Sequence, residues 1–455
     1  MSDTKRQRFV SGYLQNECPS LQKMPSPILS ILIPALHEGE NLRILIPQIY
    51  AQLEAMGVSH EVMVVTSAQD QDTANAATEK NAKVILQTKP GYGGALLAGF
   101  EAAKGQYLIT MDADFSHPPD FIQTLWAHRD DAELVVASRY VPGGSADMPT
   151  SRFVLSKVLN RFFSRGLDLH VKDMSSGFRL YHTGALAQLD LQERDFNVLQ
   201  ESLVKMLVQG YSIDEVPFAY APRKYGSSHA RVFQFGKAYL KTFGKLWALR
   251  NSIKSADYDY RAHDSLIPLQ RYWQRSRHKH IVELIANEGP VLDVGCGSSK
   301  IIGALPEKSL AIDILLKKVR FARRFKRNVV HGSGFTLPVP DESFSCVLCS
   351  QVIEHVPMDS PILTELLRAL KPGGRLVLGT PDYANWEWVV TEKLYGWFAP
   401  GAYADEHISH YTMKSLREYF ESRGLITEDH RYILRGELIL AFRKPAASPQ
   451  NHSSQ

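Results

Sequence analysis

The chain has 455 residues, 44% hydrophobic and 22% charged, with a formal net charge of +4. That length implies about two or three domains, each able to bury its own core. The charge is too mild to imply a nucleic-acid partner, and four cysteines (Cys18, Cys296, Cys346, Cys349) without framework spacing suit a reducing compartment.

Residues 1–27 form a polar tail with no apolar segment of the kind a signal peptide carries. No apolar run anywhere approaches the ~20 residues that cross a bilayer. The expectation is a cytoplasmic protein that, where it meets a membrane, lies on the cytoplasmic face. A short apolar strand over 28–33 ends at Pro34, and Ala35-Leu36-His37-Glu38 leads into a helix over 42–56 stopped by Gly57. A second strand, 61–65, runs into Thr66-Ser67-Ala68-Gln69-Asp70, and a third covers 83–86. Next comes Lys89-Pro90-Gly91-Tyr92-Gly93-Gly94 and a helix from Ala95. That loop is either a simple turn or a cradle whose free N–H groups suit phosphate.

The apolar run from Tyr107 then delivers Asp112 and Asp114 to a strand end, and Pro118-Pro119 turns the chain away. Residues two apart on a strand share a side, so the two carboxylates are expected to share one target. A hard divalent cation, Mg²⁺ or Mn²⁺, carrying a diphosphate is the natural target, with a solvated loop as the alternative. Alternating strands and helices predict an α/β sheet covered on both faces, with ligands at the carboxyl ends of its strands.

Residues 34–41, 89–99, 112–119, Ala137-Ser138-Arg139-Tyr140, Ser176-Gly177-Phe178-Arg179, Gln200-Glu201 and Arg223-Lys224-Tyr225-Gly226-Ser227-Ser228 resemble a family-2 glycosyltransferase, the dolichol-phosphate mannosyltransferase group in particular. The resemblance covers residues 28–250. It implies a glycosyltransferase A-type fold and metal-assisted, inverting transfer from a nucleotide sugar to a polyprenyl phosphate. Pro34, Ala35 and Glu38 would line the nucleotide pocket, and Asp112 and Asp114 would hold metal and diphosphate. Arg139, Arg152, Arg223 and Ser228 would face the acceptor phosphate, where guanidinium forks match phosphate oxygens. A phosphate acceptor is already anionic; a hydroxyl acceptor needs a carboxylate base, and Glu201 is the candidate. The chain departs from the family in having Thr66 and Ser67 where paired aspartates are common, Leu36 for an aromatic, and His229 for a lysine. Those departures motivate a rival reading, a glycosyltransferase-like binding module without turnover. Apolar and basic residues also alternate at helical spacing in 152–165 and 232–250, which suits either packing on the domain or the headgroup layer of a membrane.

Residues 251–267 are polar and read as an irregular linker, followed by a helix over 268–287. Val291-Leu292-Asp293-Val294-Gly295-Cys296-Gly297 is a strand entering a glycine turn, and Asp313 ends the next strand. Cys346 and Cys349 fall in one later strand, face opposite sides, and read as core. With Glu354-His355-Val356 and Leu370-Lys371-Pro372-Gly373-Gly374, residues 268–444 resemble a class I S-adenosylmethionine-dependent methyltransferase. By that resemblance Asp293, Gly295, Gly297, Asp313 and Ser333 would hold the cofactor. The methyl acceptor is a glycan or small molecule, and His355 is either its general base or a structural residue. His407 and His410 lack a third metal ligand in the sequence, and residues 445–455 read as a disordered tail. The expected architecture is two tandem Rossmann-like α/β domains.

Overall fold

The computed structural model describes residues 27–220, 232–286, 288–390 and 407–446. The first domain contains β1 (Leu29–Pro34), β2 (His60–Thr66), β3 (Lys83–Leu86), β4 (Tyr107–Thr110), β5 (Leu134–Ser138), β6 (Ser145–Ala146), β7 (Arg179–His182), β8 (Ile213–Pro217) and β9 (Ala219–Tyr220). Seven of these form a sheet ordered β3-β2-β1-β4-β7-β5-β8, while β6 and β9 pair separately. Every pairing in the large sheet is parallel except those of β7 with β4 and β5. Alternation sorts the side chains into two cores. Leu29, Ile31, Ile33, Val62 and Val64 pack beneath the helix Gly39–Met56, and Leu32, Met63 and Val65 face the helix Tyr92–Ala102. Gly57 stops the first of these helices as expected, at φ 64° with its N–H bonded to the Glu54 carbonyl.

The second sheet uses β10 (Val291–Val294), β11 (Leu310–Asp313), β12 (Asn328–His331), β13 (Phe344–Ser350), β14 (Leu370–Pro381), β15 (Ile426–Ile433) and β16 (Glu437–Arg443). Its order is β12-β11-β10-β13-β14-β16-β15, with β16 antiparallel to both neighbours. Cys349 lies in one core and Cys346 in the other, so the two thiols do face opposite sides of β13. In each sheet the strand order reverses beside the first strand, between β1 and β4 and between β10 and β13. An open α/β sheet leaves a ligand crevice at such a point.

The joining segment is more ordered than its polar composition suggests. Ser255 and Ala256 are fully buried, and Tyr258–Ala262 is a short helix. Ala256 N–H bonds to the Val208 carbonyl of the first domain. Three residues on, Asp259 accepts from Ser298 Oγ at 3.1 Å and from Lys318 Nζ at 2.7 Å in the second. Arg250, itself buried, pairs with Asp257 and donates to the Leu167 carbonyl at 3.2 Å. The joint is a clamp of charges.

Candidate functional site

Pro34 ends β1, and Ala35 N–H crosses to the Val65 carbonyl at 2.9 Å. Glu38 caps the helix that follows, its own N–H held by Thr73 Oγ1 at 3.0 Å. Asp70 binds the neighbouring His37 N–H at 2.6 Å and Thr66 Oγ1 at 3.2 Å, tying the loops after β1 and β2 together. Burial alone would raise the Asp70 pKa; hydrogen bonds from His37 and Thr73 override it and hold the carboxyl below its ordinary value.

Asp112 and Asp114 reach the same crevice by a different route from the one expected. β4 ends at Thr110, so both lie on a loop and the two-residue period of a strand does not govern them. Local hydrogen bonds replace the ladder. Asp112 N–H donates to His117 Nδ1 at 2.8 Å, and Asp114 Oδ1 accepts from Ser116 N–H at 3.0 Å. Phe115, directly after Asp114, sits at φ 64°, a left-handed conformation unusual for a bulky residue and found at constrained sites. Tyr92 Oη donates to Asp112 Oδ1 at 3.3 Å, and a Cβ on Gly177 would lie 2.6 Å from that hydroxyl. The structure thus joins three sequence motifs around Asp112, whose side chain remains about one-third exposed (32%). His117 is buried and stacked on Phe178, and burial lowers its pKa, favouring the neutral ring.

In the second domain Gly295 and Gly297 adopt φ 74° and 57°, which let the chain turn tightly after β10. Asp313, at the end of β11, accepts from Gly297 N–H at 2.8 Å and Leu315 N–H at 2.7 Å. Burial raises its pKa and pushes that of Asp293 up to about 7, Asp313 adding to the latter. Ser333, half-buried just past β12, accepts from Phe335 N–H at 3.1 Å. Glu354 and His355 follow β13 on the other side of the crevice.

Comparison with known proteins matches the two domains to two families. A model described as glycosyl transferase family 2 matches residues 30–190, and one described as a methyltransferase domain matches residues 292–378. Polyprenol monophosphomannose synthase of Mycolicibacterium smegmatis is 30% identical over 243 residues, which cover 51% of this chain and 91% of that protein. The chain belongs to glycosyltransferase family 2. Dolichol-phosphate mannosyltransferase of Saccharomyces cerevisiae is 28% identical, over 48% of this chain and 93% of that protein. A solved structure of glucosyl-3-phosphoglycerate synthase from Mycobacterium tuberculosis is 18% identical with a TM-score of 0.40, covering 50% of this chain and 80% of that one. The family 2 domain has the glycosyltransferase A-type fold, and the C-terminal half carries a methyltransferase domain of the class I fold.

Several residues of the family 2 domain serve differently from the sequence-based expectation. The glycine loop is not a set of free N–H groups: Gly94 N–H donates to the Arg194 carbonyl at 3.1 Å, and a Cβ on Gly93 would lie 2.5 Å from the Arg194 carbonyl carbon. Its glycines admit another backbone. Glu201 is buried and accepts from Gln192 N–H, from Glu193 N–H at 2.8 Å and from Lys205 Nζ at 2.7 Å, so the base candidate for a hydroxyl acceptor is occupied. Arg139 spends its fork on Asp173, at 2.7 and 2.8 Å, and donates to Ser175 Oγ. Burial works against the Arg139 cation, but the Asp173 carboxylate outweighs it and raises the guanidinium pKa. Arg179, wholly buried, donates to the carbonyls of Met174, Ser176 and Leu199. Arg223 and Ser228 lie outside the described residues, as does the side chain of Arg152. Asp70, Asp173 and Tyr92 were missed as organising residues; for Tyr92 alone the signal, an aromatic inside the glycine loop, was visible.

Proposed function

We propose that the family 2 domain transfers a sugar from a nucleotide donor to a polyprenyl phosphate, and that the methyltransferase domain methylates a hydroxyl of a glycan or small molecule. The observation that carries the first part is the convergence of Tyr92, Asp112 and Gly177 at the β1/β4 crevice, in a chain that spans nearly the whole of a polyprenol monophosphomannose synthase. Asp112 and Asp114 offer hard oxygen donors that fit Mg²⁺ or Mn²⁺, which would neutralise charge on the departing diphosphate. Tyr92 orients Asp112, while Asp70 fixes the loop bearing Ala35 and Glu38, the nucleotide side. Arg139 acts through Asp173 and Ser175, holding the loop after β5 in place. The acceptor phosphate is already a nucleophile, consistent with the absence of an open carboxylate base at Glu201.

Membrane contact is supported by one helix. Thr150–Gly166 exposes Val154, Leu155, Val158, Leu159 and Phe162 beside the exposed Lys157, Arg161 and Arg165, a composition suited to the headgroup layer. Phe163 on its inner face packs on Phe243 of the helix Val232–Arg250. Of the apolar face expected on that second helix, Leu246 is buried in its own domain; Leu240 and Trp247, which lie outside that face, are exposed. No described helix is long and apolar enough to cross a membrane.

In the second domain Gly295, Gly297 and Asp313 fit the methionine and ribose parts of S-adenosylmethionine, whose sulfonium supplies an electrophilic methyl group. The deciding experiment presents radiolabelled nucleotide sugars and polyprenyl phosphate vesicles to wild type and Asp114→Ala with Mn²⁺ or Mg²⁺. Organic-phase label that disappears in the variant supports the reading. No label from any donor overturns it.

A further inference from the structure

The chain turns sharply after β13, with Gln351 at φ 58° and its N–H bonded to the Gly379 carbonyl of β14 at 2.7 Å. This turn presents Glu354 and His355 at the β10/β13 crevice. A Cβ on Gly295 would strike Val352, so the turn lies directly against the expected methyl-donor loop. Glu354 is fully buried. Its Oε2 accepts from Thr380 Oγ1 at 3.2 Å, but Oε1 has no hydrogen-bond partner among the described residues. An unsatisfied carboxylate oxygen in the interior costs several kcal/mol in typical cases and calls for a ligand.

His407 comes from 53 residues further along, yet it is stitched to the same place. The Glu354 carbonyl accepts from Ile408 N–H at 2.9 Å and Ser409 N–H at 3.0 Å, and Ser409 Oγ donates to the Val356 carbonyl at 2.6 Å. Glu354, His355 and His407 consequently each bring one ligand atom within 4.8 Å of the other two. His407 Nδ1 lies 2.8 Å from Tyr383 Oη, an outer contact of the kind that orients a metal-binding imidazole. The Trp388 ring lies 6.1 Å from His407, and its Nε1–H also has no partner among the described residues. The third ligand that the sequence did not offer to His407 is supplied by the fold.

We propose that Glu354, His355 and His407 form a divalent-cation site beside the methyl-donor pocket, and that the cation holds the acceptor through a pair of neighbouring oxygens, as in a vicinal diol. Two imidazoles and one carboxylate suit Mn²⁺, Fe²⁺, Co²⁺ or Zn²⁺ and leave coordination positions open. A bound hydroxyl becomes more acidic, as water does on a catalytic cation. Its proton passes to solvent, its oxygen bonds to the methyl carbon, and the methyl–sulfur bond breaks with its electron pair left on a neutral thioether. This role rests on the methyltransferase reading of the domain; the cation site itself does not.

The test uses the full-length chain in an Asp114→Ala background, so that the first domain contributes no competing site. Chelator-stripped protein is titrated calorimetrically with Mn²⁺ and with Zn²⁺, and S-adenosylmethionine binding is measured separately. The expected result is one equivalent of cation, bound more than about tenfold more weakly by both Glu354→Gln and His407→Ala, with S-adenosylmethionine affinity retained. Unchanged cation affinity in either variant, or no cation bound while S-adenosylmethionine binds, overturns the site. Cation binding without any S-adenosylmethionine binding in the parent supports the site and overturns its role in methyl transfer. Should Glu354→Gln lose both ligands through misfolding, His407→Ala, at a partly exposed position, decides.

Discussion

Separating the Asp259 carboxylate from the Lys318 ammonium tests whether the joint is held by charge. Burial alone would raise the Asp259 pKa, yet Lys318 and Ser298 carry it down from 3.8 to about 2. At ~1.36 kcal/mol per pH unit, that depression corresponds to about 2 kcal/mol of native-state stability. The side chain is 19% exposed, so solvent screening removes little of it. A cycle of Asp259→Asn, Lys318→Met and the double variant, each unfolded in urea at pH 7 and followed by tryptophan fluorescence, should return a coupling of about 2 kcal/mol. Lys318→Met should be the worse single change, since it leaves a carboxylate in the interior without its cation. Because the folded pKa is depressed, the contribution is complete above about pH 4 and fades as pH falls through about 2. Additivity of the two single changes, or a coupling that persists at pH 2, would refute the reasoning.

Glu201→Gln should lower the thermal midpoint, by a loss of about 1–3 kcal/mol, while sugar transfer per folded molecule is kept; a kcat collapse without destabilisation would restore Glu201 as a base. Asp173→Asn breaks a buried ion pair and should cost about 3–5 kcal/mol in denaturant unfolding of the first domain. Arg139→Lys, which keeps the charge but loses the fork, should cost less. Gly93→Ala forces a methyl against the Arg194 backbone and should destabilise by about 1–3 kcal/mol, with nucleotide affinity, read by calorimetry, falling as the loop shifts.

Alternation along a single strand was enough to place Cys346 and Cys349 in different layers, because facing is set residue by residue. Glycine positions likewise revealed both crevice loops. What the pattern hid was commitment to a partner far along the chain. Arg139 meets Asp173 across 34 positions and Glu354 meets the His407 segment across 53, and no local period records such pairings. The Asp112–Ser116 turn was missed for the opposite reason. Short polar side chains there compete with the strand ladder within a few residues, and the competition is won by geometry that composition does not display.

Arg179 illustrates a separate point about inheritance. It stands in the motif Ser176-Gly177-Phe178-Arg179 that helped mark the family, yet it touches carbonyls in the interior rather than the open crevice. Losing it would leave the buried Met174 and Ser176 carbonyls without the guanidinium they accept from. A descendant that had abandoned sugar transfer altogether would therefore still be held to this arginine by its need to fold. Among divergent relatives, the presence of this motif certifies an intact scaffold, and the state of the Asp112 loop is the better witness to living chemistry.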